Sequence, residues 1–156
     1  MTQKLTRQEP MVGTVKDQRA SSLVLVVGYE GSDPARRALA AAGRLLQGRE
    51  GWIEIVCVSA GSPEPVSAPP ADVLDSLASV AAPFHYEIQS LLDQPWRLRS
   101  ASGVVADQLI ETARLVADEG GEPRTVVIVV GSDHRMSFSV PIALARRSVF
   151  PVVIVP

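Results

Sequence analysis

The chain is poor in cysteine, histidine and aromatic residues. Its 156 residues include one cysteine, two histidines and 4% aromatic side chains. A single cysteine excludes an internal disulfide framework, and the wide spacing of these three residues argues against a metal site. No nucleophile–base pair stands out in the sequence, so we expect no catalytic activity.

An excess of charge and a long apolar run are also absent. The 15 basic and 17 acidic side chains leave a formal net charge of −2, which gives no overall attraction to nucleic acid or to an anionic membrane. Purely apolar runs are as short as Leu23–Val27 and Val126–Val130, whereas a membrane-spanning helix needs about 20 residues. The first ten residues are polar and lack the apolar segment of a secretory signal. We therefore expect a cytoplasmic protein that binds neither a membrane nor nucleic acid.

The chain does contain enough apolar side chains for one folded domain. It is 46% hydrophobic, and its length is that of a single domain of ordinary size. Residues 1–20 mix cations with acids and show no periodicity, which predicts a flexible polar tail. A nucleic-acid-binding arm is the alternative there, but the acids interrupt the basic residues. Residues 21–156 are predicted to form the domain.

Apolar, β-branched segments alternate with helical patterns along this domain. The predicted strands are Leu23–Val27, Ile53–Val58, Trp96–Arg99, Thr125–Val130 and Val152–Val155. A helical stretch over Asp72–Leu92 is either kinked or divided by Pro83. This alternation predicts an α/β fold, a single doubly wound five-stranded parallel sheet between layers of helices.

Two of the predicted helices have a clear apolar face with spacings of three and four. The first face consists of Ala35, Ala38, Leu39, Ala42, Leu45 and Leu46. The second consists of Val105, Leu109, Ala113 and Val116. We expect both faces to pack on the sheet.

Two polar loops follow the first and fourth strands, where ligands of such sheets bind. In the first loop, Glu30 lies between glycines and could accept hydrogen bonds from a ribose or an adenine amine, or it could simply be a solvated acid in a sharp turn. The second loop, Gly131–Ser139, could offer backbone amides and hydroxyls to a phosphate. Ser139 could equally act as the N-cap of the last helix.

The remaining polar candidates have plainer interpretations. Cys57 lies inside an apolar strand and is predicted to be buried and inert. We interpret His85 as a packing or surface residue and His134 as an exposed loop residue. Trp52 and Trp96 each begin a predicted strand, where an amphipathic ring commonly covers the edge of a core.

Three stretches of the sequence resemble the universal stress protein family (UspA-like domain), over about residues 22–156. They are LVLVVGYEGSDPARRAL, TVVIVVGS and SVPIALARRSVFPVVIVP, in the family's order and spacing. The first places Glu30 where the family usually has aspartate. The resemblance implies a sheet order of 3-2-1-4-5 in an adenine nucleotide alpha hydrolase-like sandwich.

The resemblance also allows the nucleotide loop to be compared with that of the family's ATP-binding members. This chain keeps the first glycine as Gly131, but His134 and Phe138 stand where later glycines belong, and the loop is shorter than the pattern. We therefore expect that ATP is not bound in the usual way and that no cofactor is required, with ATP or AMP as the disfavoured alternative. The candidate nucleotide-binding residues are Gly28, Glu30, Gly31, Ser32, Val58, Gly131, Ser132 and Ser139.

The last predicted strand is apolar and, in the implied order, lies at an edge of the sheet. An apolar edge strand needs a partner or a cover. In the resembling family this strand pairs with its two-fold mate, so we expect a homodimer through Val152, Val153, Ile154 and Val155. A cover formed by residues 1–20 is the alternative.

The sequence therefore predicts a non-enzymatic, homodimeric stress-response or regulatory module. The first alternative is a universal stress protein that binds ATP or another adenosine nucleotide through a remodelled loop. The second is an enzyme related to adenine-nucleotide hydrolases, which the missing nucleophile–base pair disfavours. Partner proteins other than a second copy are not predicted.

Overall fold

A computed structural model describes residues 21–59, 83–133 and 139–156. Three predictions lie outside these residues: the tail over 1–20, the helical character of 72–82, and the arrangement of loop residues 134–138. The last range includes both His134 and Phe138.

Strands and helices alternate along the described chain. The strands are β1 (Ser22–Gly28), β2 (Gly51–Ser59), β3 (Trp96–Ser102), β4 (Arg124–Gly131) and β5 (Val152–Val155). The helices are α1 (Asp33–Leu46), α2 (described over residues 83–91), α3 (Val105–Asp118) and α4 (Ser139–Arg147). A short 3-10 turn over Glu119–Gly121 follows α3.

The sheet is parallel throughout and has the strand order β3-β2-β1-β4-β5. This confirms the predicted α/β fold and its 3-2-1-4-5 order. β1 is the central strand. The chain adds β2 and β3 on one side of it and then β4 and β5 on the other side, so the strand order reverses between β1 and β4. Ligand sites of open parallel sheets lie beyond the carboxyl ends of the strands at such a reversal.

Each face of the sheet carries its own apolar core. On one face, the odd-numbered residues of β1 pack with α1 and α2, as Leu25 and Val27 do. On the other face, the even-numbered residues pack with α3 and α4, as Val24 and Val26 do. β1 is therefore buried on both faces, which explains why its sequence is continuously apolar rather than alternating.

The predicted apolar face of α1 is confirmed except at one residue. Ala35, Ala38, Leu39, Ala42 and Leu46 are buried, but Leu45 is 43% exposed. The prediction for Leu45 was wrong because the buried face of α1 is rotated away from Leu45 and includes Gly43 instead. A Cβ on Gly43 would lie 3.2 Å from Leu92 Cδ2, so the absence of a side chain allows the segment after α2 to approach α1.

The edge strand β3 is longer than its sequence pattern predicted. Its alternating residues end at Arg99, but the ladder continues to Ser102 because Ser100, Ala101 and Ser102 pair with the end of β2. Arg97 in this edge strand is exposed, and its neighbours are half-buried. Strand pairing, rather than side-chain pattern, extends β3.

The two tryptophans lie at opposite faces of the sheet and are half-buried against the cores, as predicted. The ring of Trp52 has Arg97 Cζ at 4.5 Å and Arg124 Cζ at 4.9 Å from its centroid. Its indole nitrogen donates to the buried carboxylate of Glu54 at 2.9 Å. Arg99 donates to the same carboxylate at 3.1 Å.

Within the ranges that the structure describes, no helix is long and apolar enough to cross a membrane.

Candidate functional site

A cavity of about 520 Å³ opens beyond the carboxyl ends of β1 and β4. Its volume lies within the range of about 300–1,000 Å³ that is typical of small-molecule sites. The residues that line it are Gly28, Tyr29, Glu30, Ser32, Pro34, Ala35, Val56, Val58, Val105, Leu109, Val130, Gly131, Ser132, Asp133, Val140 and Pro141. The cavity therefore occupies the point of strand reversal at which the fold favours a ligand.

Six of the eight predicted nucleotide-binding residues line this cavity: Gly28, Glu30, Ser32, Val58, Gly131 and Ser132. Gly31 does not line the cavity, and the side chain of Ser139, the first residue of α4, lies outside what the structure describes. The structure thus brings residues of the two polar loops together.

The first loop forms a tight turn that leads into α1. Ser32 is the N-cap of α1, and its hydroxyl accepts from the Ala35 amide at 3.3 Å. The same hydroxyl donates to a carboxylate oxygen of Glu30. Glu30 is exposed, and its bond to Ser32 fixes the orientation of its carboxylate. The residue lies at the rim of the cavity.

Gly31 has a structural reason to be glycine. Its φ is +82°, a conformation that L-residues with a side chain rarely adopt. A Cβ there would lie 2.8 Å from Phe84 Cε1, on the α2 side of the turn and away from the cavity lining. Its sequence neighbours Glu30 and Ser32 supply the lining instead.

Gly131 allows β4 to end against the first turn of α1. A Cβ on Gly131 would lie 2.8 Å from Pro34 Cβ and closer still to the Pro34 carbonyl group. A Cβ on Gly28 would meet only the flexible tip of Leu109, at 3.3 Å. Close packing of strand and helix therefore accounts for Gly131 without any ligand.

The walls of the cavity are mainly apolar. They come from the ends of β2 and β4 and from the first turns of α3 and α4, and they include Val58, Val105, Leu109 and Val140. Among the described residues of the lining, the charged ones are Glu30 and Asp133, both carboxylates. The described rim is therefore negative, and the interior is suited to an apolar ring.

The wall residue Ser132 is bonded to the last strand and to α1. Its amide donates to the Val155 carbonyl at 2.8 Å. Its own carbonyl accepts from Arg37 Nη2 at 3.2 Å, while Arg37 Nε donates to the Pro156 carbonyl at 2.9 Å. These bonds hold one wall of the cavity against the end of β5.

Two titratable groups beside the site are shifted by burial. Burial raises the pKa of the Cys57 thiol to about 11, and the nearby Glu30 charge adds to this effect. Cys57 is 4% exposed, which confirms the prediction that it is buried. Burial also raises the pKa of Tyr29 to about 12, with the nearby Glu87 carboxylate adding to it.

The Tyr29 hydroxyl has no partner in hydrogen-bond geometry among the described residues, and the side chain is only 2% exposed. Its ring meets Phe84 edge to face at 5.4 Å. Arg36 of α1 pairs with Glu87 of α2 in the same region. Tyr29 thus helps to join α2 to the sheet, and it is also one of the residues that line the cavity.

Sequence reasoning missed several lining residues. Tyr29 continues the ladder beyond β1, because its amide donates to the Val56 carbonyl at 2.9 Å. Val105 and Leu109 were assigned only to the inner face of a helix. Their position in the first two turns, at the carboxyl end of the sheet, is the signal that could have placed them in the site.

His85 is exposed and lies edge to face with Trp96 at 5.1 Å, in agreement with a packing or surface role. Within the described ranges, no group of three or more His, Cys, Asp or Glu side chains is arranged to hold a metal ion.

Comparison with known proteins gives matches to solved structures. No protein-family model matches the chain, and no curated protein matches it. A universal stress protein solved in complex with cAMP is 27% identical, with a TM-score of 0.62 over 88% of this chain and 98% of that one. The universal stress protein UspA from Lactobacillus plantarum is 16% identical, with a TM-score of 0.62 over 88% of this chain and 99% of that one.

A universal stress protein from Archaeoglobus fulgidus, solved in complex with dAMP, is 16% identical, with a TM-score of 0.54 over 87% of this chain and 98% of that one. The two less identical structures show a shared fold, and the cAMP complex adds a closer sequence likeness. The resemblance that the three sequence stretches predicted is confirmed: the chain is similar to universal stress protein (UspA-like) structures over most of its length and shares their α/β fold.

Proposed function

We propose that this chain is a non-enzymatic regulatory module whose cavity binds an adenine nucleotide with a single phosphate, such as AMP or cAMP, rather than ATP in the usual way. The observation that carries this proposal is the cavity at the strand reversal, with apolar walls and one oriented carboxylate at its rim.

The dimensions and chemistry of the cavity suit a nucleoside. Val58, Val105 and Leu109 offer an apolar slot for a flat base. The Glu30 carboxylate, oriented by Ser32, can accept from ribose hydroxyls, the contact that an acid makes in dinucleotide-binding α/β folds. On the opposite wall, the Ser132 hydroxyl donates to the Val155 carbonyl at 3.4 Å and keeps lone pairs that can accept from a nucleoside.

Charge argues for few phosphates. Glu30 lies on the described rim, and each added phosphate would bring further negative charge near its carboxylate. The sequence of the second loop has one glycine, Gly131, where the ATP-binding pattern has several. Two of the similar structures were solved in complex with cAMP and with dAMP, which are both monophosphates.

Calorimetric titration with AMP, cAMP and ATP, each with and without magnesium, tests this proposal. We expect binding of a monophosphate that weakens about tenfold or more in Glu30→Gln, because one charge-assisted hydrogen bond is lost. Glu50→Gln is the matched control, since Glu50 is equally exposed but lies just before β2, at the amino ends of the strands. Val58→Phe should abolish binding by filling the slot.

Absence of heat for every nucleotide in the wild type would overturn the proposal, and so would an equal loss in Glu30→Gln and Glu50→Gln. Chromatography of the recovered nucleotides tests the non-enzymatic part: they should return unchanged.

The oligomeric part of the proposal is a homodimer through β5. This strand lies at the sheet edge, with Ile154 45% exposed and Val149 just before it 77% exposed. The carbonyls of Pro151 and Val155 accept from the amides of Ile128 and Ser132, in β4 and just after it. The odd-numbered residues of the last strand therefore form their backbone hydrogen bonds with β4. The amides of Val152 and Ile154 therefore point away from β4, towards the outer edge of the described sheet, where a second β5 could pair with them.

Ile154→Pro removes one outward amide and spares the bonds to β4. We expect it to give monomers in analytical ultracentrifugation, while Ile154→Thr, which keeps the amide, retains the dimer. A Pro variant that stays dimeric would overturn edge pairing, and a monomeric wild type would overturn the dimer.

A further inference from the structure

Arg37 joins three parts of the molecule with one side chain. From α1 it donates to the Ser132 carbonyl, in the cavity wall, and to the Pro156 carbonyl, just after β5. Ser132 is also bonded directly to Val155. The cavity wall and the end of the last strand are thus held together through the same short network.

The network is built on a rigid base. α1 begins at the cavity, where Pro34 and Ala35 contribute to the lining, and Arg37 lies one turn further on. Gly131 is packed tightly against Pro34. Because the strand end cannot move far against α1, movement of Ser132 requires its bonds to Val155 and Arg37 to break.

We propose that Arg37 is a positioning residue that couples the cavity to the β5 edge, so that occupancy of the cavity regulates self-association of the chain. This inference rests on the proposed function for its ligand and for its dimer. A ligand that contacts Ser132 holds the wall in place, and the wall holds the end of β5 in the geometry that edge pairing needs. By linkage, dimer formation then tightens ligand binding by the same factor.

The first test measures the coupling without a ligand. Amide hydrogen exchange of the full chain is followed by NMR in the wild type, Arg37→Gln and Arg44→Gln. Arg44 is the matched control because it is an exposed arginine on the same helix. We expect exchange at the Ser132 amide to become about fivefold faster in Arg37→Gln, as for the loss of one ordinary hydrogen bond, and to be unchanged in Arg44→Gln. Equal exchange in the two variants would overturn the role of Arg37.

The second test adds AMP as the probe. In sedimentation equilibrium, AMP should tighten self-association of the wild type and of Arg44→Gln by about fivefold or more, a coupling within the usual range. Arg37→Gln should still bind AMP but show no such effect. AMP binding that leaves wild-type self-association unchanged would overturn the coupling and leave the proposed ligand standing.

The two failures are distinguishable. No calorimetric heat with AMP overturns the proposed function together with ligand regulation, whereas the exchange experiment still decides whether Arg37 ties Ser132 to the end of β5. Circular dichroism of both variants checks that each is folded as the wild type is.

Discussion

Replacing Gly131 with alanine should destabilise the domain strongly, although the residue lies at the rim of a cavity. The added Cβ would lie 2.8 Å from Pro34 Cβ and closer still to the Pro34 carbonyl group. These atoms belong to a proline in the first turn of α1, so they cannot move aside as a flexible side chain would. Either β4 or α1 must shift.

The loss of stability depends on which atoms the added Cβ contacts. Overpacking a well-packed site costs about 1–3 kcal/mol, and the upper end applies here because the clash is with backbone. Gly28→Ala is the matched control, since the atoms nearest to its Cβ belong to the side chain of Leu109, with Cδ1 at 3.3 Å, and not to the backbone. We expect that variant to lose less than about 1 kcal/mol, because a leucine tip can rotate.

Urea unfolding followed by circular dichroism measures both variants. With a slope of about 2 kcal/mol per molar urea, a loss of about 3 kcal/mol lowers the midpoint of Gly131→Ala by about 1.5 M. Midpoints of Gly131→Ala and Gly28→Ala that agree within about 0.3 M would refute the packing explanation. Gly131 would then need another explanation, with contact to a ligand as the leading one.

Further predictions concern buried groups around the two cores. Cys57, with its pKa raised to about 11, should react with a thiol reagent in the folded protein far more slowly at pH 8 than in urea; equal rates would contradict its burial. Tyr29 keeps its proton to a higher pH when folded, with its pKa raised from 10.0 to about 12, so its contribution to stability is complete below pH 10 and is lost as the pH rises towards 12; the urea midpoint should therefore fall less over this window in Tyr29→Phe than in the wild type, and an equal fall would contradict the raised pKa. Arg99→Met leaves the buried Glu54 carboxylate without an ion-pair partner and should cost about 1 kcal/mol more than Arg97→Met, a modest figure because Arg99 is itself 41% exposed; equal urea midpoints would contradict this pairing.

Local patterns in the sequence were sufficient for most of the fold. Continuous apolar runs such as Leu23–Val27 occur where a strand is covered on both faces, and they identified β1 and β4 correctly. The pattern failed where a neighbour decides the outcome. Leu45 is exposed because Gly43 faces the segment after α2, and β3 continues to Ser102 because β2 offers a partner.

The candidate site was predictable only in part. The two loops could be located, since the carboxyl ends of parallel strands meet at one edge of the sheet. The roles of their glycines could not, because spacing does not show what a missing side chain faces. Gly31 faces Phe84 and Gly131 faces Pro34, contacts that join residues far apart in the chain. The same holds for Arg37, whose partners lie 95 and 119 residues away.

Binding of an adenine monophosphate in the cavity at the strand reversal is tested most directly by two-dimensional amide NMR spectra recorded while AMP is added. We expect the amides of Gly28, Glu30, Ser132 and their neighbours in the cavity to shift, while those of Gly48 and Gly121 remain in place. Spectra without shifts, or shifts centred on residues away from the cavity, would contradict the claim.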